Sequence, residues 1–207
     1  MTKTASSILI ALSVGIFGCS TTNTTIRSFT DPAYRSTRFG RVLILAQMPD
    51  LEWRGLVESS LVAALRNQGV SAIEGMELIP PTRTLTDVDK MEILRRNHVD
   101  SYLVINVGAL ERQIYVPPTG SPSTPTSGGS SKTGQTQDKR AGTATAGHTE
   151  PGPWALFNVK LYDVSNGHMA WLASVNATGS AHSSFAKVIL SFSETTATQL
   201  SRDGRLK

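Results

Sequence analysis

The sequence predicts a single α/β domain, in which a mixed sheet of about five strands is covered by three helices. In the first half, apolar runs alternate with segments of helical periodicity, in the order β-α-β-α-β. In the second half, two alternating segments flank Asn166-Gly167, which predicts a long hairpin, and a helical segment follows. Without its low-complexity segments the chain keeps about 130 residues, the usual size of one domain.

The first β-α-β unit begins with residues 41–46, an apolar run typical of a strand buried on both faces. Asp50 can cap the helix that follows, and Gly69 ends it. The apolar residues of this helix recur every four positions: Trp53, Val57, Leu61 and Leu65. A second short strand is predicted at residues 70–73.

The second helix is predicted from Thr86 and Asp89, which have the spacing of a capping box. It ends near Asn97, and its apolar residues are Val88, Met91, Ile93 and Leu94. Residues 101–107 form a further buried strand, which continues through Gly108 towards Tyr115.

The hairpin joins residues 154–164 to residues 168–179, and the apolar positions of both segments are odd-numbered. These positions are Ala155, Phe157, Val159, Leu161, Met169, Trp171, Ala173, Val175 and Ala177. A two-residue loop would place the two apolar sets on opposite faces. A three-residue loop at 165–167 pairs Val164 with His168 and Leu161 with Trp171. It predicts a type I turn with a bulge and Gly167 at positive φ.

A last helix follows the hairpin, with residues 182–184 as its cap and Asp203-Gly204 as its end. One face of it is formed by Phe185, Ile189, Phe192, Thr196 and Leu200. This spacing indicates a helix that packs its apolar side against the sheet.

The amino terminus has the pattern of a signal peptide over residues 1–18. Lys3 supplies the positive start, residues 8–17 the apolar centre, and Gly18 the small residue before the cut. The apolar run is too short to cross a bilayer, which takes about 20 residues. Cys19, the only cysteine, follows directly.

The tetrapeptide Ile16-Phe17-Gly18-Cys19 resembles the lipobox of bacterial lipoproteins. The resemblance implies cleavage before Cys19, a diacylglyceryl thioether on its sulfur and an acylated new amino terminus, palmitate for example. Phe17 departs from the pattern, where Ala, Ser or Thr is usual. Ser20 in place of Asp implies the outer membrane, with the domain facing the periplasm and exposure at the cell surface left open.

Two low-complexity segments divide the chain. Residues 19–38 are predicted to be the lipidated cysteine and a flexible tether, and residues 39–207 to be the domain. Residues 117–153, rich in Gly, Ser, Thr and Pro, are predicted to be a disordered insertion within that domain. They lack the apolar alternation of a membrane-spanning hairpin.

The sequence offers no constellation for catalysis, cofactor binding or metal binding. His98, His148, His168 and His182 are not in metal-ligand spacing, and there is no nucleophile elbow or phosphate-binding glycine loop. The basic residues are dispersed around a formal net charge of +4, without the basic stripe typical of nucleic-acid binding. We therefore expect no enzyme, no cofactor and no nucleic-acid partner, and name Cys19 as the lipidation site.

The hairpin sequence FNVKLYDVSNGHMAW at residues 157–171, followed by a helix with a polar end, resembles a pattern in small periplasmic lipoproteins. That group includes the curli secretion channel, the lipoprotein activators of penicillin-binding proteins and the amino-terminal domain of the Tol propeller protein. The resemblance implies an α/β fold and an envelope context, and it implies no catalytic residues.

Three functions remain open at this point. The leading hypothesis is a lipid-anchored, non-enzymatic interaction module that binds another envelope protein. The second is an accessory of transport or secretion, as a homo-oligomeric ring subunit or as a carrier of an apolar ligand. The third, a cell-wall hydrolase, lacks the catalytic residues that it needs.

Overall fold

A six-stranded mixed sheet organises residues 21–112 and 152–207, the parts of the chain that the computed structural model describes. The strands are β1 (Thr22–Thr30), β2 (Arg41–Gln47), β3 (Ser71–Glu74), β4 (Ser101–Arg112), β5 (Pro153–Asp163) and β6 (Met169–Gly179). The helices are α1 (Leu51–Asn67), α2 (Gly75–Leu78), α3 (Asp87–Arg96) and α4 (Phe185–Arg202), with a 3-10 turn at Pro32–Tyr34.

The strand order across the sheet is β1-β6-β5-β4-β2-β3. β2 pairs in parallel with β3 and β4, whereas β4, β5, β6 and β1 pair antiparallel in turn. The α/β class, the mixed sheet and the hairpin followed by a helix are confirmed. The structure adds three elements to the predicted set: the edge strand β1, the 3-10 turn at Pro32–Tyr34 and the single turn α2.

The flexible tether predicted at 19–38 is wrong for Thr22–Thr30, which form β1 along the whole of β6. Its inward face contains hydroxyls in place of apolar side chains. Thr24 Oγ1 lies 2.7 Å from Ser191 Oγ of α4, and only Ile26 joins the apolar core. Because hydroxyl groups and not apolar side chains attach β1 to α4, its composition resembles that of a linker. Its Thr and Ile residues nevertheless favour an extended backbone.

One face of the sheet is covered by α1 and α4, and this layer contains the main core. Phe157 of β5 stacks on Phe192 of α4 with ring centroids 3.9 Å apart. The predicted inward residues of the hairpin are all buried except Met169, which is 39% exposed. On the other face, α3 packs Leu94 against Leu43 and Ile73 in a smaller cluster, and Val88 faces outward instead of joining it.

The hairpin register is confirmed at Leu161, which lies opposite Trp171. Beyond this pair the register shifts, so that Tyr162 lies opposite Met169 and Ala170 is the extra residue. This bulge turns Ala170 inward and Met169 outward. Gly167 has φ +74°, as predicted.

The predicted closing pair of Val164 with His168 is wrong. The ladder closes one residue earlier, where the amide of Asp163 donates to the carbonyl of His168 at 2.9 Å. The amide of Val164 donates instead to the carbonyl of Asp100 at 3.0 Å, and Val164 is buried.

The helix caps are those the sequence predicts. Asp50 accepts from the amide of Trp53 at 3.0 Å, and Ser184 accepts from the amide of Lys187 at 3.3 Å. Thr86 and Asp89 form the complete capping box. Hydrogen bonds from the side chain and backbone of Thr86 lower the pKa of Asp89.

Candidate functional site

The amino-terminal end of β1 and the carboxyl-terminal end of β6 lie at one pole of the domain, since Thr22 pairs with Gly179. The fold holds the chain there from Thr21 onward. The carbonyl of Thr21 accepts from the amide of Ser180 at 3.0 Å and from the hydroxyl of Ser183 at 3.3 Å. We call this end the anchor pole and the opposite end, at the hairpin turn, the distal pole.

Cys19 itself lies outside the described residues, so its lipidation stays a prediction. In the sequence only Ser20 separates it from Thr21. Two residues of extended chain span at most about 7 Å. A lipidated Cys19 would therefore lie within about 7 Å of the anchor pole, in contrast to the long flexible reach expected from a tether over 19–38.

Sheet topology assigns several apolar side chains to the anchor pole. β6 ends there and α4 follows it. β2 runs towards the same pole but ends half-way, where Gln47 pairs with Asn106 of β4, and α1 follows it. Trp53 of α1 and Phe185 of α4 meet edge to face, with ring centroids 5.8 Å apart. Leu51, at the start of α1, is 56% exposed.

A second candidate surface is the face of β4, β5, β6 and β1 that points away from α1 and α4. Among the described residues, α3 borders it at β4, and no helix packs over its β5, β6 and β1 part. We call it the open face. Its central row crosses five strands through Gln47, Asn106, Asn158, Ser174 and Arg27, each of which pairs with the next.

The neighbouring rows of the open face mix aliphatic, aromatic and charged side chains. One row pairs Val104 with Lys160, Lys160 with Leu172 and Leu172 with Phe29, which is 61% exposed. By strand spacing the open face is about 20 Å wide and about 30 Å long. These dimensions give a projected area of about 600 Å², somewhat below the roughly 800 Å² that a stable protein interface takes from each partner.

A cleft of about 530 Å³ lies where the open face meets α3. Its floor comes from β2 and β4, and its wall from α3. Its apolar lining consists of Leu45, Ile79, Met91, Leu94, Tyr102 and Val104. The rest of its lining is polar: Gln47, Asp87, Lys90, Arg95 and the hairpin turn Ser165, Asn166 and Gly167. Ligand pockets commonly have volumes of about 300–1,000 Å³.

The charged side chains that line this cleft leave one positive charge in excess. Lys90 Nζ lies 2.9 Å from Asp87 Oδ1, which neutralises one pair. Within the described parts of the chain, no carboxylate lies within ion-pair distance of Arg95, so one positive charge is left. Tyr102 stacks on Tyr162 with ring centroids 5.0 Å apart. Burial, followed by the nearby Tyr162 and Asp87, raises the pKa of Tyr102.

Other chemistry is sparse in residues 21–112 and 152–207. They contain no group of three or more His, Cys, Asp or Glu residues that could hold a metal ion. His98, with φ 54°, follows α3, and His168 and His182 are exposed, whereas His148 lies outside the described ranges. None of the described helices is long and apolar enough to span a membrane.

Two buried charged residues escaped the sequence analysis, and both have structural roles. Glu58 accepts from Ala46 N at 3.0 Å, Arg54 Nε at 2.9 Å and Met76 N at 2.9 Å, which joins β2, α1 and α2. Arg205 donates to the carbonyls of Tyr34, Arg35, Thr37 and Asp203 and fixes the carboxyl terminus to the loop before β2. In the sequence, no pattern of charges distinguishes Glu58 or Arg205 from an ordinary surface residue.

No family model matches this sequence, and no curated protein matches it. The structure is similar to the PelC dodecamer from Paraburkholderia phytofirmans, with a TM-score of 0.52 and 18% identity over 89% of this chain and 100% of that chain. A PelC variant in a second space group gives a TM-score of 0.51 and 17% identity over 85% of this chain and 98% of that chain.

Lipoprotein GNA1162 from Neisseria meningitidis is more distant, with a TM-score of 0.44 and 14% identity over 79% of this chain and 99% of that chain. The narrower resemblance to the curli channel, the penicillin-binding-protein activators and the Tol propeller protein stays a prediction. At these identities the comparisons show one thing, that the chain shares its fold with PelC.

Proposed function

We propose that this chain is a lipid-anchored, non-enzymatic protein of the bacterial envelope whose domain works by assembling with copies of itself and with another envelope protein. The observation that carries the proposal is the fold shared with PelC, a dodecamer, over the whole of that chain. The second function considered from the sequence, an oligomeric accessory, thereby becomes part of the first.

The open face is the surface that suits such assembly. Its polar row offers amide and hydroxyl groups that can both donate and accept hydrogen bonds. Leu156, Leu172 and Phe29 add apolar area between these groups. Non-obligate interfaces are about as apolar as the rest of a protein surface, so this mixture is typical of one.

The position of Cys19 supports the anchored part of the proposal. With Ser20 as the only residue between Cys19 and Thr21, acyl chains on Cys19 would hold the anchor pole against the membrane. Two or more acyl chains give stable anchoring, whereas one gives only marginal binding. The open face would then be parallel to the membrane normal, so that neighbouring copies on the same membrane could contact it from the side.

Assembly is tested by light scattering on the purified full chain in detergent, with the detergent mass subtracted. We expect a closed oligomer, and its dissociation by Ser174→Arg combined with Asn176→Arg, which place two charges on the exposed part of the open face. The matched control is Ala63→Arg on the exposed side of α1, which should leave the oligomer intact. A wild-type monomer at micromolar concentration would contradict self-assembly.

Anchoring is tested separately by Cys19→Ser. The variant should move from the membrane fraction to the soluble periplasmic fraction, and the wild-type mass should exceed that of residues 19–207 by the acyl groups. Unchanged membrane association of Cys19→Ser would contradict the lipid anchor. Crosslinking in cells from the open face, followed by mass spectrometry, identifies the envelope partner.

A further inference from the structure

We propose that the cleft between α3 and the sheet binds a single-chain carboxylate amphiphile, whose hydrocarbon chain lies on the apolar floor and whose carboxylate pairs with Arg95. This site adjoins the open face and shares Gln47 and Val104 with it. Its test is ligand binding and not oligomeric state, so its failure is distinguishable from a failure of the proposed assembly. The shape of the cleft, its lining and its charge favour this class of ligand.

The floor of the cleft has the shape of a strip. Leu45 lies opposite Val104 on the neighbouring strand, and Tyr102 lies two residues further along β4. Two residues of strand advance by about 6.6 Å, so the apolar strip runs along the strands and not across them. The side chains of Met91 and Leu94 from α3 form its wall. An extended hydrocarbon chain fits a strip of this form better than a compact ring system does.

The polar groups of the cleft are concentrated at its edges. Arg95, in the last turn of α3, and the turn residues Ser165 and Asn166 line the end nearest the distal pole. The guanidinium of Arg95 presents a planar set of donors that matches a carboxylate in two hydrogen bonds. Arg95 shares the adjacent hollow with Asp100 and Asp163 but forms no ion pair with a described carboxylate, so an anionic head at this end meets a donor that is not already engaged in one.

The same arrangement disfavours other ligand classes. A cationic amphiphile would meet Arg95 and Lys90, and the only carboxylate in the lining, Asp87, already pairs with Lys90. A fully polar ligand would have to remove water from Leu45, Met91 and Val104 without an apolar part to replace it. The combination of an apolar strip and one unpaired cation favours a ligand with both features.

The test uses the exported chain with Cys19→Ser, purified without detergent, and dodecanoate as the probe in isothermal titration calorimetry. We expect saturable binding of one dodecanoate per chain. Arg95→Gln should weaken it about tenfold or more, as the loss of a charge-assisted hydrogen bond does. Arg96→Gln is the matched control, because Arg96 pairs with Glu92, is exposed and does not line the cleft.

A second variant tests the floor. Val104→Trp should fill the strip and abolish binding, whereas Ala63→Trp, at an exposed position of α1 outside both the cleft and the open face, should leave it unchanged. Circular dichroism establishes that both variants fold. Three results would overturn the proposal: no saturable binding by the parent chain, equal losses in the Arg95 and Arg96 variants, or equal affinity for dodecyltrimethylammonium.

Discussion

The carboxylate of Asp203 accepts a hydrogen bond from the indole N–H of Trp171 at 2.7 Å. The same oxygen accepts from Ser28 Oγ at 2.7 Å, and the other oxygen accepts from Gln199 Nε2 at 2.9 Å. One side chain just after α4 therefore joins α4 to β6 and to β1. This contact fixes α4, which covers the sheet, to the edge strand β1.

Replacing Asp203 by alanine should destabilise the domain by about 1–3 kcal/mol, because it leaves the indole N–H of the buried Trp171 without an acceptor. Urea denaturation followed by tryptophan fluorescence measures this loss. Arg202→Ala, at an exposed neighbouring position, is the control and should stay within about 0.5 kcal/mol of the parent. Equal stability of the two variants would contradict the role given to Asp203.

Thr196→Val should stabilise the domain by about 1 kcal/mol. The hydroxyl of Thr196 is fully buried in α4 and has no hydrogen-bond partner, so it loses water without compensation. Valine keeps the shape and removes that cost. Thr198→Val, on the partly exposed side of the same helix, is the control and should bring no gain. A loss of stability in Thr196→Val would contradict the absence of a partner.

Glu74→Gln should raise the melting temperature at neutral pH. Burial, followed by repulsion from Glu77 and Glu58, raises the pKa of Glu74 above its ordinary value of 4.5, against the opposing effect of Arg66. A raised carboxyl pKa means that stability falls as the pH rises from the unfolded-state pKa through the folded-state pKa, and the loss is complete above the latter. The gain should therefore disappear as the pH falls below about 4.5, where the carboxyl is protonated in both states.

Thermal unfolding of Glu74→Gln and of the parent across this pH range measures the effect. Glu52→Gln, exposed in the first turn of α1, is the control. A gain from Glu74→Gln that stays constant from pH 4 to pH 8 would show that ionisation is not its cause.

Gly75→Ala should destabilise the domain by about 1–3 kcal/mol through overpacking. A β-carbon at this position would lie 2.5 Å from the carbonyl oxygen of Ile44 and 2.6 Å from Leu45 Cδ2. The matched variant is Gly55→Ala within α1, whose β-carbon would meet only the mobile end of Met76 at 3.2 Å. Alanine favours a helix interior over glycine, so Gly55→Ala should stabilise by up to about 1 kcal/mol. Chemical denaturation of both variants should give opposite signs.

The sequence predicted the elements whose signal is apolar periodicity or capping chemistry. β2, α1, α3 and α4 lie where runs and caps predicted them, and Leu161 pairs with Trp171 because one buried face fixes the register. The predicted inward position of Met169 was wrong, because the bulge at Ala170 turns Ala170 towards the core and Met169 away from it. β1 was missed because hydroxyl groups, not apolar side chains, attach it to α4.

The candidate surfaces could not be predicted in the same way. The cleft draws Leu45, Met91, Tyr102 and Asn166 from four separate segments, and in the sequence each is an ordinary strand, helix or turn residue. The open face depends on which strands lie side by side. The position of β1 beside β6, which widens this face, follows from a strand that the pattern did not show.

Only Ser20 separates Cys19 from Thr21 in the sequence, and this short link would restrict how the domain meets other molecules. β5 and β6 each have 11 residues, so the distal pole stands about 35 Å above the anchor pole. A lipidated chain with so short a link would diffuse in two dimensions with its hairpin turn held at constant height. Partners in the same leaflet would meet it edge to edge, and a partner from the opposite membrane would have to come to it.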